Sequence, residues 1–150
     1  MPAKIRTVVI AIAIAVFAGA PAIAQAPPSV SSSFFAAADI PGTVGKALVS
    51  GASFRHQAYL RTNSGDIEIH RDWNDTILVQ EGRATILVGG DAAGGRETAP
   101  GEIRGGTAAG AKTQVVAPGD ILFIPAGMAH QIILAPGTKA FRYFAFKSRP

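Results

Sequence analysis

Apolar residues along most of this chain fall into short runs of roughly four to eight, with a two-residue rhythm rather than a helical one. These runs occupy positions 54–61, 66–70, 76–80, 84–88, 113–116, 121–124, 130–134 and 140–147. Asn63-Ser64-Gly65, Glu81-Gly82, Gly89-Gly90, Pro118-Gly119, Pro125-Ala126-Gly127 and Pro136-Gly137 punctuate them. Short β-type segments at close spacing, with no amphipathic helix between them, predict an all-β antiparallel sandwich or barrel. Run 121–124 lies between a Gly-Asp turn and Pro-Ala-Gly; it is too short for a helix and predicts a strand buried on both faces. Positions 42–48 have the apolar spacing of a short N-terminal helix. Positions 89–112, rich in Gly and Ala, predict a long flexible surface excursion, the least ordered internal part of the domain. Within it, Pro100-Gly101-Glu102-Ile103-Arg104 could pair as a short strand.

The rhythm is inverted in one place. On strand 66–70, Glu68 and His70 share one face while Ile67 and Ile69 share the other. An interior lined by Glu and His makes sense if it holds a cation or a polar ligand. Asp75 follows after a four-residue turn, and the next strand can bring it back beside His70. His130 stands just past the turn at 125–127 and opens the next apolar run, which aims its ring at whatever the sheet encloses. Two imidazoles with one or two carboxylates form a borderline to hard donor set, suited to Zn, Mn, Fe, Ni or Cu rather than to Ca.

Each residue also has a competing structural role. His130 could cap the turn, Glu68 and His70 could line a solvent-facing edge, and Asp75 could hydrogen-bond backbone amides in the turn 72–76. Trp73 reads as packing, His56 as a surface strand residue, and Lys147 as a side chain reaching solvent. Nothing else reads as a dedicated acid or base, so no catalytic residue is assigned.

The N-terminus has a different texture. Lys4 and Arg6 precede an uncharged stretch from Val8, which ends in Ala22-Ile23-Ala24-Gln25-Ala26, the pattern of a secretory signal peptide over 1–25. A membrane anchor is the competing reading. Its run falls at the short end of the ~17 to 25 residues needed to span, and no basic stop-transfer cluster follows. Export to the periplasm or beyond is therefore expected, with no membrane association after cleavage. Positions 26–33, rich in Pro and Ser, read as a flexible tether, leaving 34–150 as one domain. With no cysteine, a lipid anchor is excluded and stability must come from burial, helped by a metal or by a second subunit in a homodimer. Without Lys4 and Arg6, the 14 basic residues become 12 against 10 acidic, a balance that gives no reason to expect nucleic acid as a partner.

These residues resemble the two motifs of a small single-domain bacterial cupin of the exported type. Cupin motif two is G-x5-P-x-G-x2-H-x3-N; Gly119, Pro125, Gly127 and His130 match it, and Leu134 stands at the asparagine. Motif one is G-x5-H-x-H-x3,4-E-x6-G. Gly82, Asp75 and His70 match the closing glycine, the acid and the second histidine; Glu68 replaces the first histidine, and the opening glycine has no counterpart. The resemblance covers about 54–147 and implies a jelly-roll β-barrel with one divalent metal inside. Carried over by position, the metal ligands are Glu68, His70, Asp75 and His130, although some cupins hold no metal. One histidine fewer lowers affinity for late transition metals, and Asp for Glu at position 75 draws that carboxylate back by about one methylene. Two function classes follow: a metal-dependent enzyme on a small polar substrate, or a non-catalytic module that binds or senses a small molecule or metal.

Overall fold

The computed structural model describes residues 33–36, 40 and 46–150. The signal peptide, most of the tether and positions 42–45 of the expected helix lie outside the described residues. Thirteen strands follow: β1 Lys46–Ser50, β2 Phe54–Arg61, β3 Glu68–His70, β4 Asn74–Glu81, β5 Ala84–Val88, β6 Asp91–Ala93, β7 Arg96–Ala99, β8 Glu102–Arg104, β9 Thr107–Ala109, β10 Lys112–Val116, β11 Ile121–Ile124, β12 His130–Leu134 and β13 Phe141–Ser148. All eight expected strands are present within about two residues of their predicted bounds. Every pairing is antiparallel, and no helix occurs among the described residues.

Two sheets enclose the core. One has the order β1-β2-β13-β4-β11, the other β10-β5-β12-β3-β8-β7, and β6 with β9 forms a separate ribbon. Period-two alternation turns one set of each strand's side chains inward. β4 thus buries Asp75, Ile77 and Val79, and β13 buries Phe141, Tyr143, Ala145 and Lys147. Ile77, Val79, Phe141 and Tyr143 from the first sheet meet Ala84, Ile86, Val116 and Ile132 from the second in one cluster. Complete burial of a side chain the size of Ile86 stabilises the fold by about 1.5–3 kcal/mol. The apolar cluster fills one part of the interior and leaves the other to polar residues.

Three expectations are corrected. The described part of the predicted helix, from Lys46 on, is strand β1, because it pairs with β2 as the edge of the first sheet. β11 is not buried on both faces: Ile124 is 1% exposed, but Ile121 is 68% and Phe123 55% exposed. Among the described residues the strand is also an edge, paired with β4 alone, and no second layer of them covers its outward side chains. Finally, the excursion at 89–112 is built largely of strands β6 to β9. Its glycines serve tight turns rather than flexibility. Gly90 and Gly106 both have φ of 81°, and a Cβ on Gly106 would collide with the Ala93 carbonyl oxygen. Of the stretch 100–104, which could pair as a short strand, Glu102–Arg104 does so as β8, between β3 and β7.

Candidate metal centre

The site is made by register. Residues directly opposite in an antiparallel pair project from the same face. In the second sheet His130 lies opposite Glu68, Arg104 opposite Glu68, and Glu102 opposite His70; in the first, Lys147 lies opposite Asp75. Glu68, His70, Asp75, His130 and Lys147 are all buried. The motif turn closes against the same place: Gly127, at φ 78°, donates its N–H to the His70 carbonyl at 2.8 Å. That bond ties the start of β12, and hence His130, to the end of β3.

The two imidazoles face one another, with ring centroids 5.2 Å apart and planes at 53°. Their outer nitrogens are both engaged. His70 Nδ1 contacts Glu102 Oε2 closely, and His130 Nδ1 lies 3.3 Å from the Met128 carbonyl oxygen. Carboxylate and carbonyl oxygens can only accept, so each Nδ1 carries a hydrogen, and each Nε2 is the nitrogen turned to the interior. His70 Nε2 stands 3.6 Å from Glu68 Oε2 and 3.4 Å from Asp75 Oδ2, and His130 Nε2 stands 3.9 Å from that same Asp75 oxygen. Potential donor atoms of Glu68, His70 and His130 all lie within 4.8 Å of one another, so these three could hold a metal ion. Asp75 borders them without joining that group.

A ring of charges positions the carboxylates. Arg61 Nη2 and Arg104 Nη1 reach Glu68 Oε1 at 2.8 and 2.6 Å, which leaves Oε2 turned to His70. Lys147 Nζ is 2.6 Å from Asp75 Oδ1. That contact is an ion pair without hydrogen-bond alignment, and neither atom has a hydrogen-bond partner. Arg61 Nε also donates to the Tyr143 hydroxyl at 3.1 Å, and Tyr143 stacks on Tyr59 with centroids 4.9 Å apart.

Burial alone would raise the Glu68 carboxyl. His70, Arg104 and Arg61 together outweigh it and hold the group well below the usual carboxylate range. Burial, and then the neighbouring His70, push the His130 imidazole down. Burial pushes the Tyr143 hydroxyl up to about 12. A cavity of about 60 Å³ lies among these groups, walled by Ile77, Ile132 and Tyr143.

All four residues singled out in the sequence therefore lie at one place. Asp75 faces inward on β4 rather than serving the turn 72–76. Lys147 does not reach solvent; it is the residue that Asp75 pairs with. His56 lies away from the site, half-buried, with its ring 5.1 Å from Phe146 in an edge contact. Trp73 is clamped between guanidiniums, Arg149 at 4.6 Å and Arg55 at 5.2 Å from its centroid. Glu102, Arg104, Arg61 and Lys147 were missed. Three had a readable signal: Glu102-Ile103-Arg104 repeats the polar-apolar-polar pattern of Glu68-Ile69-His70, and period two from Phe141 puts Lys147 inward.

No protein-family model and no curated protein matches the chain. Solved structures do. It is similar to a double-stranded β-helix domain protein from Klebsiella pneumoniae (TM-score 0.56, 14% identity, 79% of this chain and 91% of that one). The cupin domain of Schizosaccharomyces pombe Cnp3 gives a TM-score of 0.53 at 12% identity over 70% of this chain, which spans 63% of that chain's length. The Bacillus halodurans protein BH2720 gives 0.52 at 19% identity over 69% and 68%. Likeness at this level of identity shows the fold and nothing further.

Proposed function

We propose that this cupin-fold chain is an exported protein that holds one divalent transition metal between His70, His130 and Glu68 and presents it to a small polar ligand. The carrying observation is that both imidazoles have Nδ1 tied to an outer acceptor while donor atoms of the two rings and of Glu68 lie within 4.8 Å of one another. Ligating histidines almost always have such an outer partner, which fixes the tautomer and raises ligand basicity. Two histidines and one carboxylate are also a donor set that leaves coordination positions open, as catalytic Zn and non-haem Fe sites do.

When bound, the metal would supply Lewis acidity toward an oxygen of the ligand. The chain's own residues do the rest. Glu102 and the Met128 carbonyl orient the rings, Arg61 and Arg104 hold Glu68 with one oxygen free, and Ile77, Ile132 and Tyr143 keep bulk water out. A cavity of about 60 Å³ suits an ion with one small ligand, far below the ~300 Å³ of a typical organic-ligand pocket.

One observation favours a metal-free binding module instead. Glu68, Asp75 and Glu102 are already matched by Arg61, Arg104 and Lys147, so the interior is charge-balanced without an ion. Elemental analysis of the exported protein decides between the two: stoichiometric transition metal that is lost in His70→Ala and in His130→Ala supports the centre, and its absence hands the site to the module. Export is tested by N-terminal sequencing, which should read from near Gln25; an intact Met1 in the membrane fraction would sink it.

A further inference from the structure

Asp75 has the buried, inward position of a ligand but is engaged by another cation. Lys147 lies directly across from it in the β4–β13 ladder, and the two residues are 4% and 5% exposed. Their charges are 2.6 Å apart. A metal bound to Asp75 would place a dication beside a buried ammonium, and like charges repel strongly where water does not screen them. Asp75 cannot serve both cations fully. Lys147 lines the cavity, and its ammonium, with three N–H donors, makes no aligned hydrogen bond to Asp75 or to any other group among the described residues. Buried donors left unspent are costly, so this corner is built for an acceptor.

We propose that Lys147 withholds Asp75 from the metal, and that the side left open takes a small oxyanion, a carboxylate received by the Lys147 ammonium. The inference rests on the metal reading above. Charge supports it: Arg61, Arg104 and Lys147 already offset Glu68, Asp75 and Glu102 around the interior, so a dication held there brings a positive surplus that an anion relieves. Size supports it too. At about 60 Å³, shared with the ion, the cavity is far below the ~300 Å³ of a typical organic-ligand pocket and suits the smallest carboxylates.

The probe is Co²⁺, whose visible bands report coordination number, followed by formate on the Co²⁺-loaded protein. Lys147→Met should bind Co²⁺ on the order of tenfold more tightly than wild type, with a higher coordination number and no response to formate. Lys147→Gln provides a second neutral variant should the first fail to fold. Asp75→Asn combined with Lys147→Met should lose the gain, because the gain is the freed carboxylate. Wild-type bands should shift saturably with formate. Equal Co²⁺ affinity in wild type and the folded neutral variant overturns the withholding, and wild-type bands indifferent to formate overturn the anion site. Uptake by the variant but not by wild type would sink the metal reading and leave the withholding intact; failure of both folded proteins to bind overturns both.

Discussion

Glu102→Gln tests whether His70 is held ready as a ligand. In the fold, Glu102 Oε2 accepts from His70 Nδ1, which turns Nε2 toward Glu68 and Asp75 as the nitrogen a metal would use. Glutamine keeps the shape, but its amide can donate as well as accept. Nδ1 can then become the acceptor, and the hydrogen moves to Nε2, where it occupies the lone pair that a metal needs. Loss of an outer partner of this kind costs about 10- to 100-fold in metal affinity, or ~1.4 to ~2.7 kcal/mol. The Glu102 side chain is 25% exposed, so the swap should change the stability of the metal-free protein by less than about 1 kcal/mol. Affinity and folding are thereby separated. Zn²⁺ competition against a chromophoric chelator at neutral pH measures the first, and chemical denaturation in chelator measures the second. A Glu102→Gln protein with Zn²⁺ affinity within about twofold of wild type would show that Glu102 does not set the tautomer of a ligand, and the centre would lose its strongest support.

The two faces of β11 should respond oppositely to truncation: Ile124→Ala should cost ~2–5 kcal/mol and Ile121→Ala less than about 0.5 kcal/mol, read from urea midpoints, and equal costs would refute the edge placement. Metal-free protein should lose stability as pH falls below 6.5, since His130 has a folded value below its unfolded 6.5 and the unfolded chain therefore binds more protons in that window. Glu68, whose folded value is also depressed, adds a loss of the same sign as pH falls below about 4.5, and a stability profile that stays flat from neutral to acid pH would contradict both assignments.

Much of this molecule is local and was therefore legible in the chain. Period-two alternation placed the strands, because a pleated backbone sends successive side chains to opposite faces whatever its neighbours are. The inverted face of Glu68 and His70 marked a polar interior, and the spacing from Gly119 to His130 set a turn that delivers an imidazole, since both depend only on residues close in sequence. Long-range pairing decided the rest. That His70 meets Glu102, Glu68 meets Arg104 and Asp75 meets Lys147 follows from which strands are neighbours and in what register, and those ladders join segments up to 72 positions apart, from Asp75 to Lys147. No local periodicity encodes a register, because many registers satisfy the same alternation and only the packed sheets discriminate among them. The exposure of β11 has the same cause: four apolar residues make a strand anywhere, but whether it is central or an edge depends on what lies beside it. The glycines at 89–112 looked like low complexity because composition alone does not show that their positive φ serves turns between strands that pair within the segment, β6 with β9 and β7 with β8.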